Sequence, residues 1–266
     1  MYDRYHRNIN YLRVSVTDRC NLRCKYCMPE EGIRLLDHEE ILSFEEIVCF
    51  TEIAIKKGID KVRITGGEPL ARRNVVNLVK MLSGIQGIKD LSLTTNGILL
   101  EDLAKPLKDA GLDRVNISLD TMDSEKYKEI TRCGDLEKVM RGIDAAEDAG
   151  LLPIKINCVV KKSSDEPDAR KVRSFCERRK FKVRFIHQMN LEAGEYTVVE
   201  GGDGGNCRMC NKIRLSSDGQ LRPCLFDDLS FGIRELGAEK AIDMALEAKP
   251  EFGTRCVKYT FNMIGG

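Results

Sequence analysis

The chain has almost no net charge, little apolar character in its opening stretch and no long apolar run. Its 43 Lys plus Arg residues face 42 Asp plus Glu, a formal net charge of +1. No overall field steers it toward nucleic acid or an anionic membrane, while a local basic cleft for one anionic ligand remains compatible with that balance. The opening stretch MYDRYHRNIN is polar where a secretion signal is basic and then apolar. Apolar stretches all fall short of the ~18 residues that a membrane span needs. We therefore expect a cytoplasmic protein with no nucleic-acid or membrane partner. Disorder and low complexity are excluded as well, because 42% of residues are hydrophobic and 32% are charged, ordinary values for a globular chain. A length of 266 residues suits one large α/β domain, or a medium domain with a small one.

Cysteine is what the chain has in excess. There are eleven, at positions 20, 24, 27, 49, 133, 158, 176, 207, 210, 224 and 256. An odd number behind no export signal argues against a disulfide scaffold, and in a reducing compartment clustered cysteines more often bind metal. Two groups are tight: Cys20, Cys24 and Cys27 in CxxxCxxC, and Cys207, Cys210 and Cys224 in CxxC-x13-C. Cys49, Cys158 and Cys176 fall in helical or strand patterns and read as packing residues, and Cys133 receives no role.

Up to about residue 189, short β-branched runs alternate with amphipathic stretches, the pattern of repeated strand-helix units around a parallel sheet. Strands are expected over 12–16, 61–65, 91–94, 114–119, 154–160 and 182–186. Helices are expected over 44–57, 75–82, 101–110, 136–149 and 169–179. Ser43 with Glu46 forms a capping box for the first of these, and Gly58 stops it. Pro106 should kink or shorten the third. Six such units are two short of a closed eight-stranded barrel, so the expected fold is α/β, a partial (β/α)6 barrel of the TIM type over residues 1–189.

In such barrels chemistry sits on the loops after the C-terminal ends of the strands. The unusual residues lie there: the Cys20 group after the first strand, Thr65-Gly66-Gly67-Glu68-Pro69 after the second, Thr95-Asn96-Gly97 after the third and Asp120 after the fourth. Beyond Met189, Gly201, Gly202, Gly204 and Gly205 mark a crossing into residues 190–266. That stretch should form a small C-terminal iron-sulfur-binding extension, small enough to need a metal site to hold its shape. It should contain a helix over 239–248, and Asp218-Gly219 should turn a hairpin that returns Cys224 to Cys207 and Cys210.

Three thiolates on a short loop can hold three corners of a cubane iron-sulfur cluster and leave the fourth iron open to a small molecule. A zinc knuckle is the alternative, and it would recruit a fourth ligand close by, with His38 the candidate. Zinc is also the alternative for the Cys207 group. Against it stand the missing fourth ligand and the cationic side chains Lys212 and Arg214, which strand alternation places on one face, where they can meet phosphates.

The stretch CNLRCKYCMP resembles the signature of radical S-adenosylmethionine enzymes, and the GGEP at Gly66, Gly67, Glu68 and Pro69 is similar to the loop that receives the methionine amino group in that superfamily. YLRVSVTDRC, RITGGEPLARRN, LTTNG, VNISLD, the second cysteine group and the Gly-Gly terminus together resemble the GTP 3′,8-cyclase family of molybdenum cofactor biosynthesis. The resemblance implies two [4Fe-4S] clusters, S-adenosyl-L-methionine, GTP as the small-molecule substrate and a low-potential electron donor such as a flavodoxin or ferredoxin. It is compatible with a homodimer. It places Tyr26, Gly66, Gly67, Glu68, Ser118 and Met189 at the cofactor, with Asp120 beside Ser118. Arg13, Arg63, Thr94, Lys155, Arg184, Lys212 and Arg214 stand where that family meets GTP, and Arg13, Arg63 and Lys155 carry the catalytic positions. In the implied reaction a 5′-deoxyadenosyl radical removes the C3′ hydrogen of GTP, the sugar carbon closes onto guanine C8, and the side-chain-free Gly265-Gly266 tail threads into the site.

Two departures from that pattern stand out. Only seventeen residues separate Met189 from Cys207, where the family carries a longer segment. Cys256 stands where no ligand is expected: it is either a packed free thiol or a fourth ligand that would turn the second cluster to electron transfer. A radical enzyme acting on a peptide, and a non-catalytic iron-sulfur or zinc module, are the alternative functions.

Overall fold

The structure is a computed structural model and describes residues 1–264. Six parallel strands form its centre: β1 (Tyr11–Ser15), β2 (Lys61–Thr65), β3 (Asp90–Thr95), β4 (Arg114–Ser118), β5 (Lys155–Val160) and β6 (Lys182–His187). Each lies within one residue of its expected ends: KVRIT is buried along nearly its whole length, and in KINCVV Ile156, Cys158 and Val160 are buried while Lys155 and Asn157 face the interior cavity. The helices between them are α1 (Phe44–Lys56), α2 (Val75–Ser83), α3 (Leu100–Asp109), α4 (Ser124–Thr131), α5 (Leu136–Asp148) and α6 (Pro167–Arg179). At α1 the capping box is complete: the Ser43 hydroxyl accepts from Glu46 N, and the Glu46 carboxylate accepts from Ser43 N.

Two expectations change. Pro106 neither ends nor shortens α3, which continues for three residues beyond it. Pro106 and Asp102, the residue whose carbonyl loses its helical donor, are both exposed, so water serves that carbonyl. Helix α4 was not expected. It buries only Tyr127 and Thr131, too few for a periodic signal, and is started by the Asp123 carboxylate, which accepts from Glu125 N and Lys126 N.

The C-terminal segment extends the same sheet. Strand β7 (Lys212–Leu215) pairs in parallel with β1, and β8 (Gln220–Arg222) and β9 (Phe231–Gly232) follow antiparallel, giving the order β6-β5-β4-β3-β2-β1-β7-β8-β9. Gly219, at φ +83°, makes the expected turn between β7 and β8. Helices α7 (Ile233–Leu236) and α8 (Ala238–Glu247) come next, α8 packing on α1, and a last turn α9 spans Phe261–Ile264. The Gly265-Gly266 tail lies outside the described residues. Among the described residues no helix is long and apolar enough to cross a membrane.

The sheet curls. Lys155 and Asn157 of β5 and Arg184 of β6 line the same cavity as Lys212 and Arg214 of β7, although these strands lie far apart in sheet order. The curl is the partial barrel, and its open β6 edge is covered by the segment after Met189, where Phe185 and Glu200 exchange backbone hydrogen bonds of 3.0 and 3.1 Å.

Candidate active site

Residues paired in register across parallel strands point to the same face, so the pairing alone assembles rows of side chains inside the curl. One row is Lys212, Tyr11, Lys61 and Asp90; the next is Arg214, Arg13, Arg63, Ser92 and Arg114. Two steps further along β5 and β6 the ladder adds Lys155, Asn157 and Arg184. These rows, Ser92 excepted, line a cavity of about 330 Å³. Its carboxylates are Asp90, which bridges Arg114 at 2.6 Å, and Asp203.

Crowded, buried cations hold protons less firmly. Burial, followed by Arg214 and Arg63, pulls Arg13 well below the usual range, and burial with Arg114 and Arg184 nearby brings Arg63 to about 10. Lys155 falls to about 8 through burial, Arg114, Arg184 and Arg63, and Lys212 to about 8 through burial, Arg214 and Arg13. Tyr11 offsets part of this, its ring lying 5.2 Å from the Arg63 guanidinium and 5.7 Å from the Lys212 ammonium. Buried polar atoms without a protein partner include Thr94 Oγ1, Asn157 Oδ1 and Arg214 Nη1. Excess positive charge and open hydrogen-bonding positions together suit a polyanionic ligand.

Of the residues singled out in the sequence, Arg13, Arg63, Lys155, Arg184, Met189, Lys212, Arg214, Cys207, Cys210 and Cys224 all line this cavity. Thr94 stands on β3, paired with Asn116 beside Lys155, but is not among the lining residues. Tyr11, Lys61, Asp90, Arg114 and Asn157 were missed. The signal was available, since Tyr11 and Arg13, Lys61 and Arg63, and Lys212 and Arg214 repeat one two-residue spacing in three strands that turn out to be neighbours.

The Cys20 group lies beyond the other end of the strands, on the loop that leaves β1. Two supports fix that loop. On one side Gly67 N donates to Thr17 O at 2.7 Å and Glu68 N to Arg19 O at 2.8 Å, a seam so close that a Cβ on Gly67 would lie 2.4 Å from the Arg19 carbonyl oxygen. On the other, the free carbonyls ending α4 receive the loop: Arg23 N donates to Thr131 O and Lys25 N to Ile130 O, while Arg132 reaches the carbonyls of Arg23 and Met28. The unexpected helix is therefore part of the cysteine loop's mount.

The carboxylate of Glu68 is completely buried, and its hydrogen bonds come from Leu70 N, Thr95 Oγ1 and Asn96 N. Burial raises it and these donors lower it, leaving it at about 7. It ties the loops after β2 and β3 into one rim. Tyr26 donates to Asp120 Oδ2 at 2.8 Å, and Val159 N donates to Asp120 Oδ1 at 2.8 Å. Ser118 ends β4 two residues before Asp120.

Burial pushes the Cys20 thiol up to about 11 and Cys27 to about 12, with Cys24 higher still, its neighbours Cys27 and Asp120 adding to the effect. All three are free thiols. Among the described residues no three His, Cys, Asp or Glu side chains gather to hold a single metal ion. In a cubane each thiolate takes a different iron, and the cluster's own positive irons deprotonate thiols that burial alone keeps neutral. An all-sulfur set of three on one loop fits that group.

At the second group Cys207 and Cys210 bracket a single tight turn before β7, and Cys224 follows β8. Here burial is opposed by cations. Burial pushes Cys210 up, but Lys249, the Lys212 N–H, the Lys212 ammonium and Arg214 together bring it below its ordinary value. Cys224 is raised, chiefly by burial. The hydroxyl of Tyr196 lies 3.2 Å from Cys207 Sγ and donates to Gly253 O at 3.1 Å. Short as it is, the 190–206 segment supplies this tyrosine together with Thr197, Val199 and Asp203 as a wall of the cavity. Cys256 is fully buried in a satellite cluster with Leu191, Leu225 and Phe226, its thiol beside Arg222, Asp228 and the Tyr259 carbonyl.

Comparisons with known proteins identify the family. Residues 14–176 match the family model described as the Radical SAM superfamily. The chain is 42% identical to GTP 3′,8-cyclase of Thermodesulfovibrio yellowstonii, over 89% of this chain and 88% of that one. It is 41% identical to GTP 3′,8-cyclase of Pelotomaculum thermopropionicum, over 93% and 92%. The latter alignment runs to 300 positions, so about fifty of them face no residue of this 266-residue chain. Among solved structures, Streptococcus suis SuiB bound to S-adenosylmethionine superposes with a TM-score of 0.66 at 17% identity, covering 92% of this chain and 67% of that one. The anSMEcpe structure with bound AdoMet and a Kp18Cys peptide gives 0.61 at 18%, covering 91% and 81%. Structural likeness at that identity concerns the fold, whereas sequence identity near 40% along almost the whole length identifies kin: the chain belongs to the Radical SAM superfamily and, within it, to the GTP 3′,8-cyclase family.

Proposed function

We propose that the chain cyclises GTP to 3′,8-cyclo-7,8-dihydro-GTP, as the names of its relatives suggest. S-adenosylmethionine and one [4Fe-4S] cluster, which superfamily membership implies, would be held at the Cys20, Cys24 and Cys27 end, and Cys207, Cys210 and Cys224 would hold a second cluster. One observation carries the reading. The basic rows of the sheet and the second cysteine group open into the same cavity, which gives a triphosphate and a purine base one continuous place to lie.

When bound, the first cluster and S-adenosylmethionine supply one-electron chemistry that yields a 5′-deoxyadenosyl radical. A low-potential donor of the flavodoxin or ferredoxin kind provides the electron. The chain's own residues then do the positioning. Arg13, Arg63, Lys155, Arg184, Lys212 and Arg214 hold the triphosphate, and because they stand on strands of one curled sheet rather than on loops they hold it rigidly. Fixing the nucleotide at that end brings its C3′ hydrogen toward the cofactor end, where proximity supplies much of the rate. Tyr26 and Asp120 brace the rim at the cofactor end. A three-cysteine second site is supported by the cavity lining, which includes Cys207, Cys210 and Cys224 but not Cys256.

The test is anaerobic incubation of the reconstituted protein with GTP, S-adenosylmethionine and a strong reductant, followed by mass spectrometry. The expected result is 5′-deoxyadenosine together with cyclised GTP in equal amounts. Formation of 5′-deoxyadenosine from S-adenosylmethionine only when a peptide substrate is supplied, with GTP untouched, would replace this substrate by the peptide alternative.

A further inference from the structure

Lys249 has no place in the proposed chemistry, yet it is among the most deeply buried charged side chains of the molecule, at 1% exposure. It follows α8, on a part of the chain that contributes no cysteine ligand. Its ammonium donates to Lys212 O at 2.8 Å and to Pro223 O at 2.5 Å. These two carbonyls flank the cysteine site: Lys212 is two residues after Cys210, and Pro223 immediately precedes Cys224. The charge thus lies inside the β7–β8 corner that carries two of the three sulfurs. It is the largest cationic influence on both Cys210 and Cys224. A lysine buried this completely persists only where something negative repays its desolvation, and two carbonyl dipoles alone do so poorly.

A second buried cation serves as an internal comparison. Arg7, paired with Asp3 at 2.6 Å, donates to Cys207 O at 2.8 Å and to the carbonyls of Pro250 and Glu251. It clamps the same site from the N-terminal side, but its charge is already neutralised by Asp3.

We propose that Lys249 is a built-in counter-charge for the second cluster, a positioning residue that clips the β7–β8 corner and raises the cluster's reduction potential. The inference rests on the reading that Cys207, Cys210 and Cys224 hold a cluster. A net-anionic cluster gains an electron more readily beside an unscreened cation, and low dielectric in the buried corner strengthens the effect. The neutral amide of Lys249→Gln keeps donors for the two carbonyls and removes the charge, whereas Lys249→Arg keeps the charge.

The experiment is anaerobic reconstitution of the full chain, iron and sulfide analysis, and redox titration of the two clusters followed by electron paramagnetic resonance. The triple variant Cys207→Ala, Cys210→Ala, Cys224→Ala assigns the signals. In Lys249→Gln the second cluster should titrate at least tenfold harder to reduce at a given potential, a shift of about 59 mV downward for one electron. The first cluster should stay in place, Lys249→Arg should follow the wild type, and the charge-neutral double variant Asp3→Asn, Arg7→Gln should move the second cluster by less than a third as much. If Lys249→Gln loses about four irons while Lys249→Arg retains eight, the counter-charge is likewise supported. An unchanged second-cluster potential at eight irons, a shift in the Asp3→Asn, Arg7→Gln double variant as large as that of Lys249→Gln, or loss of the cluster in both Lys249 variants overturns the proposal. A wild-type chain holding only four irons, all unaffected by the triple cysteine variant, overturns the underlying second-cluster reading instead.

Discussion

Substituting Gly67 by Ala attacks the seam that presents the first cysteine loop. A Cβ there would lie 2.4 Å from the Arg19 carbonyl oxygen, 2.7 Å from its carbon and 2.8 Å from the Asp18 carbonyl oxygen, all backbone atoms with no rotamer to yield. The loops must part. Overpacking of this kind costs about 1–3 kcal/mol. Parting also strains the hydrogen bonds Gly67 N to Thr17 O and Glu68 N to Arg19 O, each worth about 1 kcal/mol. A total near 3 kcal/mol corresponds to a melting temperature lower by about 6–12 °C in a chain of this size. Calorimetry of the cluster-free protein checks the figure, and iron analysis after reconstitution checks the consequence, a first site filled in less than half of the molecules. Gly84→Ala is the control, since Gly84 has φ −75° and its Cβ would meet nothing closer than 3.4 Å. That variant should melt with the wild type or slightly above it. If Gly67→Ala also melts within 1 °C of the wild type and binds a full complement of iron, the seam does not hold the cysteine loop.

Two further outcomes follow from buried polar groups. Lys155, lowered to about 8 by burial and by Arg114, Arg184 and Arg63, is charged at pH 7 and mostly neutral at pH 9 in the free protein. A bound triphosphate favours its charged form, so GTP affinity should weaken as pH rises through 8, by about three- to tenfold between pH 7 and 9 once partial exposure is discounted. Calorimetric titration at both values should show the fall in the wild type, a smaller fall in Lys155→Arg, where Lys212 at about 8 still titrates, and a flat response in Lys155→Arg with Lys212→Arg; an equal fall in Lys155→Arg removes Lys155 as a source. Tyr26→Phe deletes the donor to Asp120 Oδ2, leaving a buried carboxylate one partner short at a cost of about 1–3 kcal/mol. Urea denaturation of the cluster-free chain should show a lower midpoint at unchanged slope, and an unchanged midpoint would mean that the Tyr26–Asp120 contact is not formed in solution.

The strands and most of the site were legible in the sequence because each depends on a local pattern. KVRIT and KINCVV declare themselves as buried strands, Ser43 and Glu46 declare the start of α1, and both cysteine groups sit on short loops. What escaped depends on distance. Arg114 and Lys61 look like solvated charges until register sets them beside Arg63 and Arg13 in a curled sheet. Helix α4 escaped because it buries two side chains, and its contribution, the carbonyls offered to Arg23 and Lys25, leaves no mark on composition. The crossing after Met189 is shorter than the family's segment, yet Tyr196, Thr197, Val199 and Asp203 still line that side of the cavity. Its density of glycine explains how: a Cβ on Gly201 would come 2.5 Å from Val183 O, and one on Gly205 2.0 Å from Thr197 O, so the segment folds tightly where bulkier residues would need more chain.

The central claim is that a nucleotide triphosphate held by the basic rows presents its C3′ hydrogen to the cofactor end of the barrel. Anaerobic turnover of GTP carrying deuterium at C3′ tests it most directly, by mass spectrometry of the 5′-deoxyadenosine formed. The expected result is one deuterium in each 5′-deoxyadenosine, matched by cyclised GTP. Unlabelled 5′-deoxyadenosine, formed at the same rate whether or not GTP is present, would contradict it.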